Sequence, residues 1–350
     1  MTLTHDWSPE ALAQLTPGVT RPELRRDCPL LWRGPATLQI GTALDAPVVD
    51  RISHLTAAWL TGLNGLRTWD QVAADHPAQP LGRNNSDSHV GFSGDAGESC
   101  DVVQPLEAQR LLRIAFLAGA IDDGAQMPDR LRWLSVIERD EVQPDLAAAA
   151  LTYRDPIAAN HMMDRRLGIR VSVIGQGQLA TEVGAAIRLS GMALVADAEP
   201  RVNIRVLAEG THPGVVEECD SAVHDGPHLV VAAYGGRGVV GPLVVPGATS
   251  CLRCGHLLQR DTDAAWPLVS LQITQVIGRL PVWPADRLLC RLLATETALL
   301  IRAWADDPSP EGEWANTAVE VLLPTGAATR IARPTHPLCG CRWPGAGAVA

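Results

Sequence analysis

Arg170-Val-Ser-Val-Ile-Gly-Gln-Gly-Gln-Leu-Ala180 is the stretch that decides the fold. Val171 to Ile174 run without a charge into Gly175 and Gly177, as a short buried strand does when it ends in a tight turn. Leu179 to Ser190 follows with helical spacing, and Gly191 supplies the stop. Ala193-Leu-Val-Ala196 reads as a second strand that ends at Asp197. Strand, glycine turn, helix and strand make a βαβ unit with a right-handed crossover, which predicts a Rossmann-like α/β domain. Gly175-x-Gly177-x-x-Ala180 also stands where a diphosphate would meet a helix N-terminus, with Ala180 in the helix–strand packing position of a third glycine. Asp197 lies 20 residues after Gly177, a position suited to a ribose hydroxyl. A turn kept for packing, with no nucleotide, satisfies the same residues.

Outward from this unit, the α/β domain is predicted to run from residue 168 to 350. Leu229-Val-Val-Ala-Ala233 is another buried strand, and Gly235-Gly-Arg-Gly238 turns into Val239 to Val245. Asp286 to Trp304 is a long amphipathic helix. Glu320 to Leu323 and Ala328 to Ile331 form a late hairpin across Thr325-Gly326.

The eight cysteines sharpen this picture. Cys251-Leu-Arg-Cys254 and Cys339-Gly-Cys341 are two close pairs with 84 residues between them. Two thiolates in a tight turn reach one metal, and two such pairs fill a tetrahedron, so the four predict a closed, structural zinc site. Chance clustering of reduced thiols, or His256 or His336 in place of one thiolate, are the other arrangements the sequence allows. Cys28, Cys100, Cys219 and Cys290 are scattered. Cys290 sits in the apolar Leu288–Leu293 stretch, where a thiol is buried and inert. His224 and His228 flank Gly226-Pro227 and read as a solvated turn. Arg237, among three glycines, suits either an anion contact or a turn cap.

Toward the start, Leu30-Leu31-Trp32 and Thr37 to Ile40 read as two strands around Gly34-Pro35. Asp50 to Leu63 carries a helical stripe stopped by Asn64-Gly65, and Thr68 caps a further short helix. A hairpin with short helices predicts a small winged-helix-like α+β domain over residues 1–80. Residues 81–104 are rich in glycine, serine and asparagine and read as a linker. Residues 105–167 read as a helical connector, with helices through Pro105–Gly119, Asp129–Glu138 and Leu146–Leu167.

Composition removes several classes. Hydrophobic residues are 46% and charged residues 19% of 350, an ordinary globular balance. A net charge of −10 is a poor match for a phosphate backbone, so nucleic acid is not expected as a partner. No apolar run has the length of a membrane span, and the first residues lack the order of a secretory signal, so a cytoplasmic location is expected. All 29 basic residues are arginine. That excludes a Schiff-base lysine, a phosphate-loop lysine and a lysine general base.

Several stretches resemble the ThiF/MoeB superfamily, relatives of ubiquitin-activating enzymes that adenylate a protein C-terminus. They are Arg165-Arg166-Leu167 leading into Val171 to Gly177, Gly241-Pro-Leu-Val-Val-Pro-Gly-Ala-Thr-Ser-Cys-Leu-Arg-Cys254, and the split cysteine pairs. The resemblance spans about Met162 to Trp343. Asp261-Thr-Asp-Ala-Ala-Trp-Pro267 and His336-Pro-Leu-Cys-Gly-Cys341 are similar to an actinobacterial branch associated with thiazole/oxazole-modified peptides. Its members bind a precursor's leader peptide and work with a YcaO cyclodehydratase. Leu31-Trp-Arg-Gly34, Leu38-Gln-Ile-Gly41 and Leu63-Asn-Gly-Leu-Arg-Thr68 are similar to a PqqD-like leader-recognition element, in which the leader adds as a strand beside the hairpin and contacts a helix.

The departures matter as much. Adenylating members clamp phosphates with an arginine and a lysine, and here the lysine is impossible. Asp197 and Glu199 keep the acidic pair, but no asparagine–arginine–glutamine segment of the usual kind follows. Arg188 and Arg205 are the arginines available as substitutes. The resemblance therefore implies a zinc-stapled, leader-binding protein that presents a precursor peptide to a partner enzyme without adenylating it. A working adenylyltransferase using ATP and Mg²⁺ is the rival, and a nicotinamide enzyme on the same turn is a weaker third. Members of the superfamily often dimerise, which implies a homodimer. No catalytic residue is assigned.

Overall fold

A computed structural model describes residues 6–25, 27–74, 103–126, 128–153, 155–199, 201–208, 226–277 and 285–341. The chain divides into two compact units, Met1–Asp164 and Arg165–Ala350. Among the described residues, no helix is long and apolar enough to cross a membrane.

In the first unit, α1 (Pro9–Leu15) and β1 (Pro22–Leu24) precede a three-stranded antiparallel meander. Its strands are β2 (Leu30–Gly34), β3 (Thr37–Ile40) and β4 (Val48–Asp50), in that spatial order. Alternation assigns the faces: Leu38, Ile40 and Val49 are buried, whereas Leu31 and Val48 point outward. Next come α2 (His54–Thr61), α3 (Trp69–Ala74), α4 (Pro105–Leu117), β5 (Ile121–Asp123), a short 3₁₀ turn (Asp129–Trp133), α5 (Val136–Tyr153) and α6 (Pro156–Gly168), whose last turn from Arg165 on belongs to the second unit. β5 pairs with β1. Leu12, Leu38, Ile52, Leu60, Leu111 and Leu112 share one core.

Four local readings need correction, the first being the helix expected over Asp129–Glu138, which is a 3₁₀ turn over Asp129–Trp133 followed by an α-helix that begins at Val136. The helix predicted from Asp50 begins at His54, because Val48–Asp50 pairs with β3 and the Ser53 hydroxyl caps the helix by accepting from Thr56 N–H. Gly65 does not stop that helix, which ends at Thr61. It lies at φ 73°, where a Cβ would come within 3.0 Å of the Gly124 backbone, so close approach of two chains requires a glycine there. The helix expected over Leu146–Leu167 is two helices. Asp155 accepts from the N–H groups of Ile157 and Ala158, and Pro156 opens α6.

The second unit holds one mixed seven-stranded sheet. Its elements in chain order are β6 (Arg170–Ile174), α7 (Gly177–Leu189), β7 (Ala193–Val195), β8 (Ile204–Leu207), β9 (His228–Tyr234), β10 (Arg237–Val244), α8 (Leu252–Thr262), α9 (Trp266–Ile277), α10 (Arg287–Asp306), β11 (Thr317–Leu322) and β12 (Ala327–Ala332). The spatial order is β12-β11-β10-β9-β8-β6-β7. β7, β6, β8 and β9 run parallel, and β10 to β12 complete the sheet antiparallel. The α/β class read from Val171 to Asp197 is the class observed. β9 is buried over nearly its whole length, as a central strand covered on both faces must be.

α7 and α10 cover one face. Leu179, Val183 and Ile187 meet Leu289, Leu293 and Ile301 in a core that also takes Val171, Ile204 and Val231. On the other face Leu207 and Val230 pack with Leu252, the first residue of α8. The segment that carries Cys251 and Cys254 is thereby seated on the sheet.

Candidate metal centre and glycine turn

The four cysteines that the sequence pairs at long range meet at one point. The Sγ separations are 3.9 Å for Cys251–Cys254, 3.4 Å for Cys251–Cys339 and 3.5 Å for Cys254–Cys341. All four sulfurs lie within 4.8 Å of one another. A tetrahedral ion with thiolates at about 2.3 Å sets its sulfurs roughly 3.8 Å apart, so the cluster has the size of a tetrathiolate shell.

Local structure explains each arm. Cys251 is the N-cap of α8, and its carbonyl accepts from Cys254 N–H at 3.1 Å, which folds both thiols onto one side of a turn. The positive end of the helix favours thiolate there. Gly340 has φ 75°, a left-handed conformation that lets Cys339 and Cys341 point the same way with one residue between them. Asn316, at φ 52°, ties the arms to the sheet: its Oδ1 accepts from Ser250 N–H at 2.8 Å and its carbonyl from Arg333 N–H at 2.7 Å.

Electrostatics favours a cation. Cys254 is held down at about 4, first by the S–H that Cys251 donates to it. Cys251 is pushed up because its proton is held by Cys254, and burial adds to this. Burial also pushes Cys341 up to about 11. Four thiolates this close together repel one another and need a compensating cation, so metal binding must release protons and weaken as pH falls.

The two histidines weighed as substitute ligands are engaged elsewhere. His256 Nδ1 accepts from Trp266 Nε1 at 3.2 Å, and His336 Nε2 lies 2.8 Å from Asp261 Oδ2. Cys290 is buried in the α10 core, and burial raises its thiol. His228 is buried at the start of β9, not in a solvated turn, with Nδ1 3.1 Å from the Gly226 carbonyl. Cys100, Cys219 and His224 lie outside the described residues.

The glycine turn occupies the switch point of the sheet. β6 has β7 on one side and β8 on the other, and Gly175 and Gly177 follow its carboxyl end, where open α/β sheets bind ligands. Gly177, at φ 86°, opens α7, and Ala180 packs against the core. The acidic pair is already met by arginines. Asp197 Oδ1 accepts from Arg205 Nε at 2.7 Å and from Ser172 Oγ at 3.3 Å. Glu199 pairs with Arg170 at 3.0 Å. Exposed pairs of this kind contribute under about 1 kcal/mol, so a nucleotide could displace them. Arg237 Nη1 lies 3.3 Å from Glu320 at the turn between β9 and β10.

Asn316 and the His336–Asp261 contact are the site residues that pattern reading passes over. A hydrogen bond between positions 75 residues apart leaves no periodic trace. The turn residue Gly340, by contrast, is visible between its cysteines.

No protein-family model matches this sequence, and no curated protein matches it. Solved structures do. The heterocyclase TruD aligns with a TM-score of 0.60 at 15% identity, over 92% of this chain and 42% of that one. A heterocyclase in complex with substrate and cofactor aligns at 0.58 and 16%, over 92% of this chain and 39% of that one. E. coli MccB, crystallised with AMPCPP and selenomethionine MccA, aligns at 0.55 and 12%, over 92% of this chain and 99% of that one. The chain therefore spans about two fifths of the heterocyclases' length and nearly all of MccB. At these identities the likeness is one of architecture: the chain shares its fold with the matched part of the heterocyclase TruD and with MccB.

Proposed function

We propose that this chain binds the leader segment of a ribosomal precursor peptide on its first unit and presents the peptide to a partner modifying enzyme of the YcaO cyclodehydratase type, without adenylating it. In this reading residues 1–80 act as a winged-helix-like, PqqD-like recognition domain, 81–104 as a linker, 105–167 as a connector and 168–350 as the ThiF/MoeB-like domain. The metal is a structural zinc, and the working form is a homodimer.

One observation carries the reading. β2 is an outer strand of the described meander, and its middle residues are large, apolar and exposed, Leu31 at 40% and Trp32 at 37%. They point to opposite faces, and the Trp32 ring lies 4.0 Å from that of His54 at the start of α2. A peptide laid beside β2 would gain main-chain hydrogen bonds from the strand edge and side-chain burial against Trp32 and α2. The matched heterocyclase with bound substrate and MccB with MccA support a peptide partner. The unmatched length of the heterocyclases is the part that this reading assigns to the partner enzyme.

Trp32→Ala is expected to weaken binding of the neighbouring precursor peptide by about 10- to 30-fold, measured by titration calorimetry, because a central tryptophan commonly dominates such an interface. No binding by the wild-type chain at micromolar peptide would remove the proposal. A second reading, the ATP- and Mg²⁺-dependent adenylyltransferase, is favoured by the glycine turn at the switch point and by the fold shared with nucleotide-bound MccB. Pyrophosphate exchange with ATP separates them: a peptide-dependent signal selects the adenylyltransferase.

A further inference from the structure

The second arm of the metal centre is short, close to the end of the sheet, and held by something other than its cysteines. His336 is 7% exposed and three residues before Cys339. Every polar group of this residue is directed. Its Nδ1 accepts from Leu338 N–H at 3.1 Å, and its carbonyl accepts from Cys339 N–H at 3.0 Å. Its own backbone N–H is donated to the Cys254 sulfur of the other arm. Nδ1 is an acceptor here, so Nε2 carries the proton and donates it to Asp261 Oδ2 at 2.8 Å. Asp261 stands in the last turn of α8, the helix that Cys251 caps, and Arg260 donates to its other oxygen at 2.8 Å.

We propose that His336 is the positioning residue of the metal centre: through Asp261 it locks the Cys339-Gly-Cys341 turn against α8, so that four sulfurs from two distant segments are pre-arranged before an ion arrives.

The proposal rests on the metal reading of the four cysteines. Its physics is that of an outer shell. A ligand turn that is already ordered loses less conformational entropy on binding, and removal of such partners typically lowers metal affinity 10- to 100-fold while the ligands themselves stay. Asp261 contributes from α8 and His336 from the turn, so the tie spans both arms where the cysteines span neither alone.

The test uses the full chain loaded with zinc and measures ion loss to a chromophoric chelator, together with the absorption of the cobalt(II)-substituted protein. His336→Ala is expected to lower zinc affinity by roughly 10- to 100-fold. His336→Asn keeps an acceptor near Leu338 N–H but cannot reach Asp261, and is expected to fall between the wild type and His336→Ala. Asp261→Ala touches only an exposed partner and guards against a variant that fails to fold; it is expected to match His336→Asn. Zinc loss at the wild-type rate in both His336→Ala and Asp261→Ala overturns the brace and leaves the metal reading standing. A wild-type chain that holds no zinc and takes up no cobalt overturns both.

Discussion

Stripping the metal from the full chain unfolds residues 165–350 and leaves residues 6–74 and 103–153 folded. The four sulfurs belong to one unit, and the two units have separate cores, one around Leu38 and Leu111 and the other around Val231 and Leu293. Structural zinc supplies about 10–16 kcal/mol in small peptides, whereas a whole domain is stable by only about 5–15 kcal/mol. Loss of the whole contribution is as large as the entire stability of such a unit. What remains without the ion is a cluster of half-buried thiols around the depressed thiolate of Cys254, which burial opposes. Chelation at neutral pH should therefore abolish one of two thermal transitions, and limited proteolysis should leave a fragment of the first unit. Cys339→Ser should reproduce the effect without chelator. An unchanged second transition in metal-free protein would show that the site has no structural role.

The second large effect lies away from the metal. Arg165 and Arg166 sit at the junction of α6 with β6 and grip the far end of α10. Arg165 donates to the carbonyls of Ala305 at 3.0 Å and Asp306 at 2.6 Å, which satisfies orphan acceptors at a helix C-terminus. Arg166 meets the Asp306 carboxylate with two parallel hydrogen bonds, its Nε at 2.7 Å from Oδ1 and its Nη2 to Oδ2. Both side chains of that pair are nearly fully buried. An aspartate at the negative end of a helix is unfavourable unless cations are supplied, and here two arginines supply them. Asp306→Ala or Arg166→Ala leaves a buried charge uncompensated and should cost about 3–5 kcal/mol. At about 2–4 °C per kcal/mol for a unit of this size, the thermal midpoint of the second unit should fall by roughly 6–20 °C. Arg166→Lys should recover little, because an ammonium cannot make the paired contact. The double variant Arg166→Met with Asp306→Leu should lose far less than either alanine variant, since it removes both charges together.

What the sequence reveals of this molecule follows the range of each interaction. Val171 to Asp197, Leu229 to Val245 and Asp286 to Trp304 are legible because strands buried on both faces read as continuous apolar runs and a helix on a core carries a stripe of period 3.6. β8 escapes notice because Ile204-Arg-Val-Leu207 is short and carries an arginine, and its place is fixed by pairing with both β6 and β9. α8 is short and mostly polar, with only Cys254 and Leu257 fully buried, so it offers few apolar residues by which to mark it. The four cysteines are legible at a distance because a tetrahedron constrains spacing within each pair. The bracing roles of Asp261, Asn316 and His336 are not, since they depend on hydrogen bonds between residues far apart in sequence. Asp197 is legible by position, but its engagement by Arg205 depends on β8 lying two strands away from β7.

The two cysteine arms also make the ion a topological closure. Between Cys254 and Cys339 the chain makes an excursion of 84 residues that includes α9, α10 and the last hairpin. An ion that joins the ends of such a loop restrains the unfolded chain as a covalent cross-link would, by roughly 4.5 kcal/mol in the chain-entropy picture. The restraint differs from a disulfide in one respect: it is indifferent to redox state and sensitive to metal supply. A peptide bond cut anywhere inside the excursion would leave both fragments anchored to the same ion, so the nicked molecule would travel as one particle until the metal is withdrawn.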